Sequence, residues 1–104
     1  MTHDTFAAWL TAIDPAAKHY HHAGTKGAYT IWREYGRLPA FSDNQNKGGW
    51  KIQIDRYTKV EDDTVASAIA MAIDESDLIA CQHEVDYDDE SGYIRHIFDC
   101  EVWM

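Results

Sequence analysis

Basic residues are scarce in this chain: nine Lys and Arg stand against eighteen Asp and Glu, for a formal net charge of −9. That balance disfavours direct binding to nucleic-acid phosphates, because such binding depends on Lys and Arg displacing counterions. It does not stop DNA from passing an acidic surface, and it also keeps a small protein soluble. Cysteine is scarce too. Cys81 and Cys100 are the only two, too few for the framework of a disulfide-dense secreted scaffold, so reduced thiols are expected. The longest apolar run, around Ala66 to Ile73, is far short of the roughly 20 residues that a membrane span requires. The opening MTHDTFAAWL has no basic region of the kind that begins a secretory signal, which points to a cytoplasmic protein with no membrane partner. The chain also lacks G-x-S-x-G, a P-loop and G-x-G-x-x-G.

What is present is the material of a folded unit. Hydrophobic residues make up 45% and aromatics 12%, with four Trp and six Tyr, too rich a mix for a disordered chain. A length of 104 residues sets the expectation of a single domain, 1–104, with a modest core that association with partners would help complete.

Periodicity predicts an α+β fold: a mostly antiparallel sheet of about four strands packed with two amphipathic helices and closed by a C-terminal β-hairpin. Thr2 is placed to cap a first helix with Asp4 in its first turn. Phe6, Trp9, Leu10 and Ile13 then follow the i, i+3, i+4, i+7 spacing, and the helix stops near Asp14-Pro15. Residues Ala16 to Gly27 read as a connection. Ala28 to Tyr35 reads as a strand with Tyr29, Ile31, Arg33 and Tyr35 on one face and Thr30, Trp32 and Glu34 on the other. The segment Gly36 to Gly49, GRLPAFSDNQNKGG, has the composition of a loop. At that length it is expected to be functional or mobile, with Leu38, Pro39 and Phe41 as a small apolar cluster for a partner.

The most informative stretch is KIQIDRYTKVEDDTVASAIAMAI, Lys51 to Ile73. Ile52 and Ile54 alternate with Lys51, Gln53 and Asp55 at the period of a strand, after which Val65, Ile69, Ala72 and Ile73 fall on one helical face. The last 27 residues predict a hairpin turning over Asp88 to Tyr93. Setting Tyr87 against Ile94 aligns Val85 with His96, His83 with Phe98, Cys81 with Cys100 and Ile79 with Val102, all on one face. Gln82, Glu84, Asp86, Arg95, Asp99 and Glu101 occupy the other face. The last strand reaches Met104, so that end is expected to be pinned into the sheet.

Three groups of residues invite chemistry, and none carries it well. Cys81, His83, His96 and Cys100 share a face and are zinc-type ligands, but C-x-H and H-x3-C are not the spacings of common zinc modules. A core cysteine pair is the simpler reading. His19, Tyr20, His21 and His22 form a cluster with no carboxylate or cysteine at fixed spacing, which suits a solvated loop. Glu61-Asp62-Asp63 falls where a helix N-terminus favours negative charge, and Asp88-Asp89-Glu90 falls in a turn. No catalytic residue, cofactor or metal is assigned, and the chain is not expected to be an enzyme.

An amphipathic helix, the strand YTIWREY, a polar loop containing FSDN, the strand WKIQIDRYTK, a second helix and a hairpin with VDYDDESGYIRHIFD together resemble the small tail-completion proteins of tailed bacteriophages. These are the tail terminators, or head–tail joining proteins. The resemblance covers nearly the whole chain, is strongest from Tyr29 to Phe98, and breaks down over Pro15 to Lys26. It implies a structural virion protein that sits as a hexameric ring on the tail tube, ends tail polymerisation and joins the tail to the head connector. The implied partners are further copies of the chain, the tail tube protein and a head-completion or connector protein, with DNA passing through the lumen unbound. The implied place is the host cytoplasm during assembly and then the virion head–tail junction. Candidate contact residues are Leu38, Phe41, Asp43 and Asn44 on the loop, with Trp50 and Tyr57 on the adjoining strand. A second class of explanation is a small acidic inhibitor that mimics DNA on a host nucleic-acid-binding enzyme. That reading requires rows of carboxylates, whereas the acids cluster at Glu61 to Asp63, Asp74 to Asp77 and Asp86 to Glu90, beside turns and helix ends.

Overall fold

The structure, a computed structural model, describes residues 1–21, 27–40 and 48–104. Helix α1 spans His3–Ile13. Thr2 is its N-cap, and the Thr2 hydroxyl accepts the Thr5 N–H at 3.1 Å. Phe6 and Leu10, four residues apart on one face, are completely buried. Strands β1 (Lys18–His19), β2 (Tyr29–Leu38) and β3 (Gly49–Thr58) precede helix α2 (Thr64–Glu75), and strands β4 (Ile79–Tyr87) and β5 (Ile94–Trp103) follow it. They form one five-stranded sheet in the order β1-β2-β3-β5-β4, antiparallel throughout except for the β1–β2 pair. The α+β class is as expected, with one strand more.

The extra strand is Lys18–His19, inside the stretch read as a connection. Two residues cannot display a period, and the pairing of Lys18 with Ile31 and His19 with Trp32 is set by tertiary structure alone. The expected loop is also shorter at both ends. β2 runs through Gly36 and Arg37 to Leu38, which pairs with Gly49 after a register shift between Glu34 and Gly36. Leu38 is therefore a buried strand residue and not a loop residue. Two glycines permit this closure. Gly48 has φ +77°, and a Cβ on Gly49 would lie 2.0 Å from the carbonyl oxygen of Val102, so no larger residue fits there. Of the other expected loop contacts, Phe41, Asp43 and Asn44 lie outside the described residues, as does His22.

The hairpin register agrees pair for pair with the sequence expectation, from Tyr87 opposite Ile94 to Ile79 opposite Val102. Asp88 caps the turn: its N–H donates to the carbonyl of Tyr93 and its carboxylate accepts the Glu90 N–H, while Gly92 takes φ +76°. Met104 N–H donates to the carbonyl of Gly48, tying the last residue to the start of β3. The core lies on one face of the sheet. Trp32, Ile52, Ile54, Phe98, Cys100 and Val102 pack there under Phe6 and Leu10 of α1 and Ile69 and Ile73 of α2. The opposite face has no helix over it among the described residues.

One charged side chain breaks the apolar row Ile52, Ile54, Arg56, Thr58 on the core face of β3. Arg56 is 7% exposed. Its guanidinium donates to both carboxylate oxygens of Asp63, at 2.9 and 3.2 Å, and to the hydroxyl of Thr30 at 3.2 Å, and Nη1 lies 3.5 Å from Oδ2 of Asp14. Asp63 is the N-cap of α2 and accepts the Ala66 N–H, and Asp14 is the C-cap residue of α1. A single cation thus joins the end of one helix, the start of the other and two strands. Burial works against ionisation of Asp63, but the Arg56 hydrogen bond, the Ala66 N–H and the Arg56 charge outweigh it and hold the carboxyl below its ordinary value. Replacing Arg56 with Met would leave two acidic side chains without their partner, and an unfolding titration in urea should show a loss of about 3–5 kcal/mol. Thr30→Val, which removes one neutral partner, should cost about 1 kcal/mol in the same measurement.

Candidate functional site

Among the described residues no three His, Cys, Asp or Glu side chains gather as a metal site. The four zinc-type residues of the hairpin do share a face but resolve into two pairs. Cys81 and Cys100 face each other as free thiols, Cys100 buried and Cys81 half-buried. The hydrogen bond shared with Cys81, reinforced by burial, drives the Cys100 thiol far up from its ordinary value, so it stays protonated and unreactive. His83 Nε2 lies 3.0 Å from His96 Nδ1, and His96 Nε2 is buried with no partner among the described residues. A lone pair left unpaired costs less than an unpaired N–H, so the favoured tautomer places the proton on His96 Nδ1, which donates to His83.

The His19 cluster is likewise occupied. His19 stacks on Trp32 at 3.9 Å and on Tyr20 at 4.2 Å, and its Nε2 lies 2.9 Å from Glu34 Oε2. Tyr20, held at φ 70°, donates its hydroxyl to the same carboxylate. These contacts dock β1 onto β2 and engage His19 Nε2 and the Tyr20 hydroxyl with one carboxylate. Trp50 and Tyr57, the two expected contacts on β3, point to opposite faces and are half-buried. Trp50 packs against His3 at 4.2 Å with Arg37 over its ring at 5.4 Å. Tyr57 stacks on Tyr29 at 4.6 Å, Tyr93 meets both rings edge-on, and Arg95 lies over Tyr57 while its Nη2 donates to Asp55 at 3.0 Å. The open face is therefore ordered by aromatic and ionic contacts in place of a second helix layer.

Among the described residues, one uncovered apolar surface lies at the turn end of the hairpin. α2 has 12 residues and covers about 18 Å at 1.5 Å per residue, whereas the nine residues of β4 extend about 30 Å. The helix cannot reach the far half of the strand. Val85 and Tyr87, on the same face as buried Ile79, are consequently each 59% exposed, and Val60 nearby is 60% exposed. A groove of about 460 Å³ runs between Lys59, Glu61, Val85, Tyr87, Gly92 and Ile94. Alternation alone cannot separate Val85 from Ile79. Comparing the length of the helix with that of the strand is the signal that does.

His96 sits beneath this region, and burial followed by the nearby His83 charge lowers its pKa below the ordinary 6.5. The unfolded chain then binds more protons than the folded one below that pH, so this contribution to stability is complete above about pH 6.5 and declines as pH falls toward the folded value. Urea unfolding at about pH 7 and about pH 5.5 should show a smaller drop for His96→Gln than for the wild type.

No protein-family model matches the chain. No curated protein matches it either. Among solved structures, a chain described under "Virion of native gene transfer agent (GTA) particle" is similar to this protein, with a TM-score of 0.58 and 15% sequence identity over 90% of this chain and 82% of that chain. At that identity the likeness establishes a shared fold.

Proposed function

We propose that this chain is a structural protein of a tailed, phage-like particle that caps the tail tube as a ring, terminates tail polymerisation and joins the tail to the head connector. The observation that carries the reading is the fold shared, over nearly its whole length, with a chain of a gene transfer agent virion. The molecule's own construction supports it. Its longest dimension is 50 Å against 24 and 23 Å for the others, with an uncovered hairpin and an ordered, helix-free sheet face available to neighbours. Among the described residues no helix is long and apolar enough to cross a membrane. The chain would act in the host cytoplasm during assembly and then at the head–tail junction, with the tail tube protein and a connector protein as neighbours. The 36–49 segment, with Phe41, Asp43 and Asn44, and the adjoining Trp50 and Tyr57 belong to this proposal as contact residues.

The inhibitor reading finds less support. On the open sheet face the carboxylates of Glu84, Asp86, Asp99 and Glu101 are interleaved with Arg33, Lys51 and Arg95, and Asp55 is consumed by Arg95. A phosphate mimic requires uninterrupted rows of negative charge.

A premature stop codon in the gene, within the genome that encodes the particle, provides the test. Negative-stain electron microscopy of the lysate should show filled heads without tails, together with unattached or over-long tail tubes. Complete particles of normal appearance would overturn the proposal.

A further inference from the structure

The two ends of the sheet differ in kind. Among the described residues β4 pairs with β5 alone, so its outer edge carries no paired strand. β1 pairs with β2 only at Ile31 and Trp32, so among the described residues Arg33 to Leu38 has β3 on one side and no paired strand on the other. Free edges that offer backbone donors and acceptors are ready templates for another chain.

Charge separates these edges. Residues 59–104 hold thirteen of the eighteen Asp and Glu and two of the nine Lys and Arg, whereas residues 1–58 hold five acids and seven bases. Because the strand order is β1-β2-β3-β5-β4, this division along the chain becomes a division across the sheet. The β4 end presents exposed Val85 and Tyr87 flanked by Glu84, Asp86 and Asp88. At the other end Lys18, Arg33 and Arg37 are exposed, and the acid between the two arginines, Glu34, is taken up by His19 and Tyr20. Tyr20 and Tyr35 provide exposed aromatic surface there, at 53% and 45%.

From this we infer that the β4 edge, with Val85 and Tyr87 exposed on one face and Glu84 and Asp86 on the other, docks on the basic, tyrosine-bearing β2 edge of a second copy of this chain. Hairpin against hairpin would oppose like charges, so the contact joins two different surfaces. Such a head-to-tail contact leaves one edge free on each outer copy, and repetition either closes into a ring or runs on as a filament. The apolar centre supplies the buried area and the charges set which edges meet. The inference deepens the ring named above and rests on that reading only for its biological setting.

Two variants of the full chain test it, E84K/D86K and R33E/R37E, whose substituted side chains are all exposed. In sedimentation velocity the wild type should self-associate with rising concentration, and added salt should weaken the association by screening the edge charges. Each variant alone should associate at least about tenfold more weakly. Mixed at equal concentration the two should assemble again, because each then offers the charge that the other's edge has lost. Tyr87→Ser should weaken association while leaving the thermal unfolding midpoint near that of the wild type. Variants that associate as the wild type does, or a wild type that stays monomeric at every attainable concentration, would overturn the inference. A monomeric wild type alongside tailless particles in the stop-codon experiment would remove this surface and leave the joining role standing.

Discussion

The Arg56 guanidinium is the interaction on which the rest of the structure depends. A buried cation is stable only where its charge and its hydrogen-bond donors are met, and here the partners come from α1, α2 and β2. Meeting that requirement fixes where one helix ends and the other begins. Asp63 cannot serve Arg56 unless it sits at the N-cap of α2, and that capping position in turn sets the helix phase that buries Ala66, Ile69 and Ile73. Asp14, at the close of α1, orients the helix that brings Phe6 and Leu10 onto Trp32. Both helices are thereby committed to one face.

The exposed surfaces follow from that commitment. With both helices on one side, the other face of the sheet is ordered by polar and aromatic contacts: Asp55 with Arg95, Tyr29 on Tyr57, and the hydroxyl of Tyr35 on Asp99. Because α2 starts at Asp63 and is shorter than the strand beside it, the turn half of the hairpin projects with Val85 and Tyr87 uncovered. A protein of this size has little core to spare, and apolar surface left open on a projecting strand is better explained by a partner than by stability. The division of charge across the sheet distinguishes its two edges and gives the proposed contact a direction.

Most of the architecture was legible because it rests on strict periods. The α1 face, the α2 face and the hairpin register all follow from repeats long enough to count, and the hairpin agrees at every pair from Ile79 to Tyr87. The misses fall where no period operates. Lys18–His19 is too short to show one, and β2 could be followed past Glu34 only by knowing that a register shift and Gly48-Gly49 let the chains close. Arg56 occupies the inward phase set by Ile52 and Ile54, so its burial was implied by parity. Its partners Asp14 and Asp63 lie far apart along the chain and meet it only in the fold. The exposure of Val85 and Tyr87 was the least legible feature, because it depends on the reach of a neighbouring helix and not on their own pattern.

Cryo-electron microscopy of the head–tail junction, in tailed particles made from the genome that carries this gene, tests the account most directly. It predicts density at the head-proximal end of the tail tube that fits this five-stranded sheet with both helices on one face, repeated as a ring in which each hairpin meets the β2 edge of the next copy. Complete particles whose junction density cannot accommodate this fold would contradict it.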